Sequence, residues 1–156
     1  MQFRQAEKID MAGKNAKTLS SKGLDGIYGY NLKRAYMVVN GAFRDDPALE
    51  SISPRLYTTL SLVAENPNTS QSTLAQALGI ERSGMVKIVD DLEQRGWLER
   101  VPVVDDRRKY ALNITPTGRV QMVQFGLAID AHEDKLLTEF SDDERKQFLS
   151  FLHRLS

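Results

Sequence analysis

The 156-residue chain has no cysteine. That absence removes disulfide staples, thiolate zinc sites, thiol nucleophiles and thiol redox sensing together. Histidine is nearly as scarce. His132 and His153 lie far apart and lack the neighbouring Asp, Glu or Cys spacing of a metal site, so they read as interface or surface residues and no metal is expected. No apolar run approaches the ~18 residues of a membrane span, and the start MQFRQAEKIDMAG lacks the apolar stretch of a secretion signal. A cytoplasmic chain with no membrane partner is expected. Glycine-rich phosphate loops, a nucleophile elbow, a zincin helix and a paired catalytic carboxylate context are all missing, so no catalytic residue, no cofactor and no enzymatic activity are expected. An excess of either charge is missing too. The 21 Lys and Arg are balanced by 21 Asp and Glu, so a polyanionic partner would have to be met by local placement of charge rather than by a basic total.

The chain does have enough apolar material, 41% of its residues, for one domain with a sizeable core. Residues 1–23 show no sustained period and read as a basic arm. From Leu24 to Phe43, apolar residues at Ile27, Tyr28, Leu32, Ala35, Tyr36 and Val39 recur every three or four positions, which predicts a long helix closed by Asp45-Asp46-Pro47. Ser53-Pro54 is a cap followed by proline in the first helical position and opens a second helix, stopped by Asn66-Pro67. Ser70 caps a third, which ends near Gly79. The fourth runs from Arg82 to Arg95, with Met85, Val89 and Leu92 on one face, and stops at Gly96.

The texture then changes. Residues 97–104 and 109–114 carry the β-branched and aromatic content of strands, with a polar turn Asp105-Asp106-Arg107-Arg108 between them. Pro102 cannot donate to a ladder, which predicts an edge or a bend there. Thr115-Pro116 opens a long helix with Val120, Val123, Leu127 and Ala131 on one face. Ser141-Asp142-Asp143-Glu144 has capping-box spacing and opens the last helix. Acidic pairs such as Asp90-Asp91 and Asp142-Asp143 read as helix-surface or capping features.

Two short helices joined by a tight turn (Ala77 to Arg82), with a charged hairpin directly after, make a winged helix-turn-helix, in which the second helix enters the DNA major groove. With Met85, Val89 and Leu92 inward, Ser83, Gly84, Val86 and Lys87 face outward, and Arg82 stands at the helix start. Serine can bond a phosphate or a base edge, glycine permits close approach, valine can pack on a thymine methyl, and lysine can reach guanine or phosphate. At the hairpin tip Arg108 is long enough for a minor groove, with Arg107 and Lys109 placed for phosphates. Trp97 is expected where the fourth helix meets the hairpin, and Arg95 at the helix C-terminus favours the helix dipole.

These stretches resemble the MarR family of bacterial transcriptional regulators. The likeness rests on Leu74 to Ser83, Val89 to Arg100, Asp106-Arg107-Arg108 and Ile114 to Arg119. The family's wing signature, Asp-x-Arg then Leu-Thr, maps onto Asp106, Arg108, Ile114 and Thr115, with isoleucine in place of leucine. Gly84 and Val86 stand where the family usually has threonine. The resemblance implies a mainly α fold of about six helices with a small β-hairpin wing. It also implies contacts to a double-stranded DNA operator from Ser83 and Lys87, minor-groove entry by Arg108, and wing orientation by Asp106. It further implies a homodimer built from the first and last helices with part of the fifth. The corresponding division is an arm at 1–23, a first dimerisation helix at 24–50, a winged helix-turn-helix at 51–115 and C-terminal dimerisation helices at 116–156.

Many family members bind a small effector, often aromatic or anionic, between the dimer helices and the winged unit. The Tyr and Arg content places the effector pocket near Tyr28, Arg34, Tyr36 and Tyr57. The expected function is therefore a ligand-responsive, sequence-specific regulator, most simply a repressor released from a pseudo-palindromic operator. The alternative is a winged-helix protein-interaction module without specific DNA binding, kept open by seven basic and seven acidic residues between positions 81 and 110.

Overall fold

The computed structural model describes residues 22–103 and 106–155, excepting the side chains of 106–109. The N-terminal arm thus lies almost wholly outside the described residues. The chain forms two units, residues 1–37 and 38–156. Helix α1 (Tyr28–Asp45) begins later than its apolar spacing predicts. Lys22–Leu24 is a 3-10 turn instead, and the Asn31 side-chain amide donates to the carbonyls of Asp25 and Ile27, each at 2.9 Å, holding the chain outside the helix. Within this first unit the side chains of α1 are largely exposed, Tyr28 and Leu32 among them.

The second unit holds the core. Helix α2 (Pro54–Glu65) is capped by Ser53, whose hydroxyl accepts from the Leu56 amide, with Pro54 in the first helical position as expected. A two-residue strand, β1 (Thr69–Ser70), precedes α3 (Gln71–Ala77), capped by Ser70. Gly79, at φ +60°, makes the turn to α4 (Arg82–Gln94), a backbone state that favours glycine. Strands β2 (Leu98–Val103) and β3 (Asp106–Ile114) form the hairpin, and the antiparallel sheet has the order β1-β3-β2. Pro102 sits on the edge strand, and the register shifts between Pro102 and Val103, so both parts of the proline expectation hold.

β1 has no sequence signature of its own. Asn68, in the left-handed region at φ 63°, donates its backbone amide to the Asn113 side chain at 2.9 Å, and the two side-chain amides meet at 3.0 Å. This pair brings Thr69 opposite Leu112.

Leu60 and Val63 of α2, Met85, Val89 and Leu92 of α4, and Leu112 of β3 are completely buried. Each contributes about 1.5–3 kcal/mol of burial, before entropic costs. Helix α5 (Pro116–Leu136), capped by Thr115, has two apolar faces. Gly118 and Phe125 are buried and Met122 and Ile129 half-buried on one, while Val120, Val123, Leu127 and Ala131, the stripe read from the sequence, share the exposed face. The apolar surface of α5 is therefore larger than its own core uses.

His132 is neither a surface residue nor exposed at an outer face: it is buried, with Nδ1 3.1 Å from an Asp46 carboxylate oxygen and its ring edge-on to Phe43. Its Nε2 is buried without a hydrogen-bond partner among the described residues. Asp46 also caps the 3-10 turn Pro47–Leu49 by accepting from the Ala48 amide. Helix α6 (Asp142–His153) opens with the expected capping box between Ser141 and Glu144. Arg145 fastens it to the end of α5 through Asp134 at 2.6 Å and the Leu137 carbonyl at 2.9 Å. Phe148, Leu149, Phe151 and Leu152 remain exposed.

Two outcomes are expected. A β-carbon on Gly118 would overlap the Trp97 carbonyl, where α5 crosses the start of the hairpin. Gly118→Ala should therefore lower stability by about 1–3 kcal/mol or more in denaturant titration, and an unchanged midpoint would refute this packing. The Ala48 amide first, then His132, holds the Asp46 carboxyl below its ordinary value. A depressed carboxyl stabilises the fold above its unfolded pKa and loses that contribution as pH falls through the folded one. The melting-temperature gap between wild type and Asp46→Asn should be present at neutral pH and close at pH below the ordinary Asp range; a pH-independent gap would refute it.

Candidate nucleic-acid interface

Helix α4 is amphipathic in a directed way. Its inner face is sealed by Met85, Val89 and Leu92, so the side chains one row round are forced outward: Arg82, Ser83, Val86 and Lys87 are all exposed. Among the described residues no ion pair engages Arg82 or Lys87. Gly84 is turned differently from these neighbours. It is half-buried, and a β-carbon there would lie 3.1 Å from Ile80 Cγ2, so its missing side chain makes room for the turn.

Two depressions flank this outer face. One of about 370 Å³ is lined by Gln71, Ser72, Arg82 and Val86, and one of about 570 Å³ by Ser72, Thr73, Gln76, Gly79, Glu81 and Arg82 among others. The polar residues of α3 thus belong to the same concave surface, although sequence reasoning singled out only α4. The available signal was the polar face of α3 opposite the buried Leu74 and Ala75. The Ser70 hydroxyl lies 2.8 Å from the hydroxyls of both Ser72 and Thr73, which orders this edge.

The hairpin stands beside α4 and is tied to it. Arg100 of β2 bonds Asp90 at 2.6 Å and also Glu93, both on α4. Partial burial opposes the Arg100 charge, but the Asp90 hydrogen bond and the charges of Glu93 and Asp90 outweigh it and raise the guanidinium pKa. Asp90 is therefore more than a solvated helix residue. Trp97 is buried at the junction as expected, 5.5 Å from the Phe125 ring. Arg95 does more than complement a helix dipole: it bonds Asp91 at 2.6 Å, donates to the Ser51 carbonyl at 2.7 Å, and lies over the Trp97 ring. The backbone places Asp106 opposite Val103 at the head of β3, with Arg107 and Arg108 next in the strand. The side chains of Asp106, Arg107 and Arg108 lie outside the described residues.

Of the four residues expected at an effector pocket, Tyr28 and Tyr36 are exposed on α1, and Arg34 lies 5.7 Å over the Tyr30 ring. In the second unit Tyr57 is half-buried, its hydroxyl directed at Gly126 of α5. Among the described residues no cluster of three metal-ligating side chains occurs, and no helix is long and apolar enough to cross a membrane.

With this geometry in view, the MarR family sequence pattern matches residues 51–109. A candidate transcriptional regulatory protein for the hcr operon of Thauera aromatica is 34% identical over 131 residues, covering 83% of this chain and 79% of that protein. Among solved structures, the transcriptional repressor CouR bound to a 23-mer DNA duplex superposes with a TM-score of 0.79 at 32% identity, covering 89% of this chain and 99% of CouR. The PcaV regulator from Streptomyces coelicolor, in complex with its natural ligand, shares the fold, with a TM-score of 0.73 at 21% identity over 90% of this chain and 96% of its own.

Removing Arg100 leaves Asp90 and Glu93 uncompensated and unties β2 from α4. Arg100→Ala should cost about 1 kcal/mol, since its partners are part-exposed, and should speed amide exchange in β2 and β3. Exchange rates equal to wild type would mean the hairpin is held by other contacts.

Proposed function

The chain belongs to the MarR family of transcriptional regulators and is a DNA-binding regulator, and from that premise we propose that it is a homodimeric cytoplasmic repressor that leaves its operator when a small molecule binds. The observation that carries the DNA-facing part is the sealed inner face of α4, which leaves Arg82, Ser83, Val86 and Lys87 no direction but outward. The hairpin tied on by Arg100 supplies the second contact, and Arg108 at its head reaches the minor groove. Arg107 meets phosphate, and Asp106 orients the wing.

Dimerisation is supported by apolar surface that each element leaves uncovered: Leu24, Ile27 and Leu32 in the first unit, and Val120, Val123, Leu127, Phe148, Phe151 and Leu152 in the second. A two-fold dimer sets two copies of α4 about one DNA turn apart, roughly 34 Å, and so reads a pseudo-palindrome. Release follows from linkage: an inducer must bind the DNA-incompetent arrangement more tightly, since equal affinity for both arrangements shifts nothing.

The test is polarisation titration against fragments of the DNA upstream of the chain's own coding sequence, over a range of salt. Wild type is expected to bind with steep salt dependence. Lys87→Ala and Arg108→Ala should each weaken binding by about 1–3 kcal/mol or flatten the salt slope by about 1. Normal affinity in both variants would refute these contacts. No binding by wild type even at low salt would favour the protein-interaction module.

A further inference from the structure

The outward row of α4 has one apolar member. Val86 leaves 43% of its surface in solvent among the polar Arg82, Ser83 and Lys87, whereas Val89 in the next turn is completely buried. Single exposed apolar residues are ordinary on a protein surface, and what sets this one apart is its company. Arg82 stands one turn before it on the same face and Lys87 directly after it. Among the described residues neither cation is held in an ion pair.

We propose that Val86 is a base-reading residue that recognises the C5-methyl group of a pyrimidine, thymine or 5-methylcytosine, in the major groove of the operator. The proposal rests on the reading of α4 as the DNA-facing helix and gives that helix a base specificity.

Valine offers neither a donor nor an acceptor, and the C5-methyl is the apolar group that base pairs present in the major groove. Set against an amino, keto or ring-nitrogen edge, the same side chain would strip water from a polar group and return no hydrogen bond. The position therefore rejects as well as selects. β-Branching also holds the side chain in one rotamer within a helix, so its two methyls are already aimed. Binding costs them no ordering, unlike the long chains of Arg82 and Lys87. In the free protein the branching lowers helix propensity, and with so much of Val86 in solvent little burial offsets it. The surface around it has room as well. Val86 lines a depression of about 370 Å³ with Arg82 and with Gln71 and Ser72 of α3. A methyl group projecting from a base edge enters that hollow without lifting α4 from the groove, while Arg82 and Lys87 take phosphates.

The test uses the full chain and an operator fragment located by footprinting the DNA upstream of its coding sequence. Each thymine of the protected half-sites is replaced singly by deoxyuridine, which removes only the C5-methyl. Each cytosine is replaced singly by 5-methylcytosine, which adds it. Wild type should lose about fourfold in affinity at one thymine per half-site, the worth of burying one methyl group, or gain as much at one methylated cytosine. The first result names thymine as the source of the methyl and the second 5-methylcytosine. Val86→Ser, at an exposed position, removes both γ-methyls and should bind the two forms of the operator equally. Lys87→Ala should weaken binding to both forms and keep the fourfold ratio, a pattern that damage to the fold would not produce. No sensitive position in either series, or an undiminished ratio in Val86→Ser, overturns the proposal and leaves the DNA-binding reading standing. Absent binding of wild type to any fragment at low salt overturns both.

Discussion

Burial of one face of α4 is the constraint on which the rest depends. Helices of the length of α3 and α4 are marginal in water by themselves, so packing must supply what propensity does not. Met85, Val89 and Leu92 meet Leu60, Val63 and Leu112 in a core drawn from α2, α4 and the sheet, all without exposure. Because a helix has one angular setting once a face is buried, the outward row is fixed by residues that never touch a partner. Substitutions that loosen the core would therefore disorient Lys87 as well as destabilise the fold.

Zero net charge is compatible with this role because the charges are sorted. The acidic residues on the later turns of α4 are consumed within the protein: Asp90 and Glu93 by Arg100, Asp91 by Arg95. Arg82 and Lys87, on the early turns, have no such partners among the described residues. A polyanion thus meets a local excess of positive charge on a neutral chain. On the proposed homodimeric reading, specific binding draws on both halves of the dimer and affinity for random DNA stays low.

The parts of the fold legible in the sequence are those specified by neighbours in the chain. Ser53-Pro54, Ser70, Thr115-Pro116 and the Ser141 to Glu144 box each cap the helix they were read to cap, because a cap is a contact over three residues. The inward face of α4 and the edge position of Pro102 follow from period and donor chemistry in the same way. What escaped reading is non-local. β1 exists through Asn68 and Asn113, 45 residues apart, and the burial of His132 through Asp46, 86 residues away. Arg95 and Arg100 were legible as charges but not as ties, since their partners come from turns and strands placed by the tertiary fold. α1 starts later than its period for a smaller reason: apolar spacing continues through Leu24 and Ile27, while the Asn31 side chain bonds the Asp25 carbonyl and the first helical bond is the one from the Asn31 amide to the Ile27 carbonyl.

The same distinction between local and distant contacts bears on how such a molecule can switch. An apolar core of interdigitated side chains has one good packing and resists displacement by solutes. Polar ties are different, because a ligand or water can offer an equivalent partner at modest cost. In the second unit the segment from Asp46 to Ser53 is held to α5 and α4 by ties of this kind, Asp46 to His132 and Ser51 to Arg95, while Leu49 and Ile52 between them are buried. A segment with apolar midpoints and polar ends can shift its ends without leaving the core. α4 carries its outward row of Arg82, Ser83, Val86 and Lys87 on its first turns and its Arg95 tie just past its last, so a rigid helix links the two. The exchangeable contacts thus stand at the far end of α4 from its outward row, both on one element.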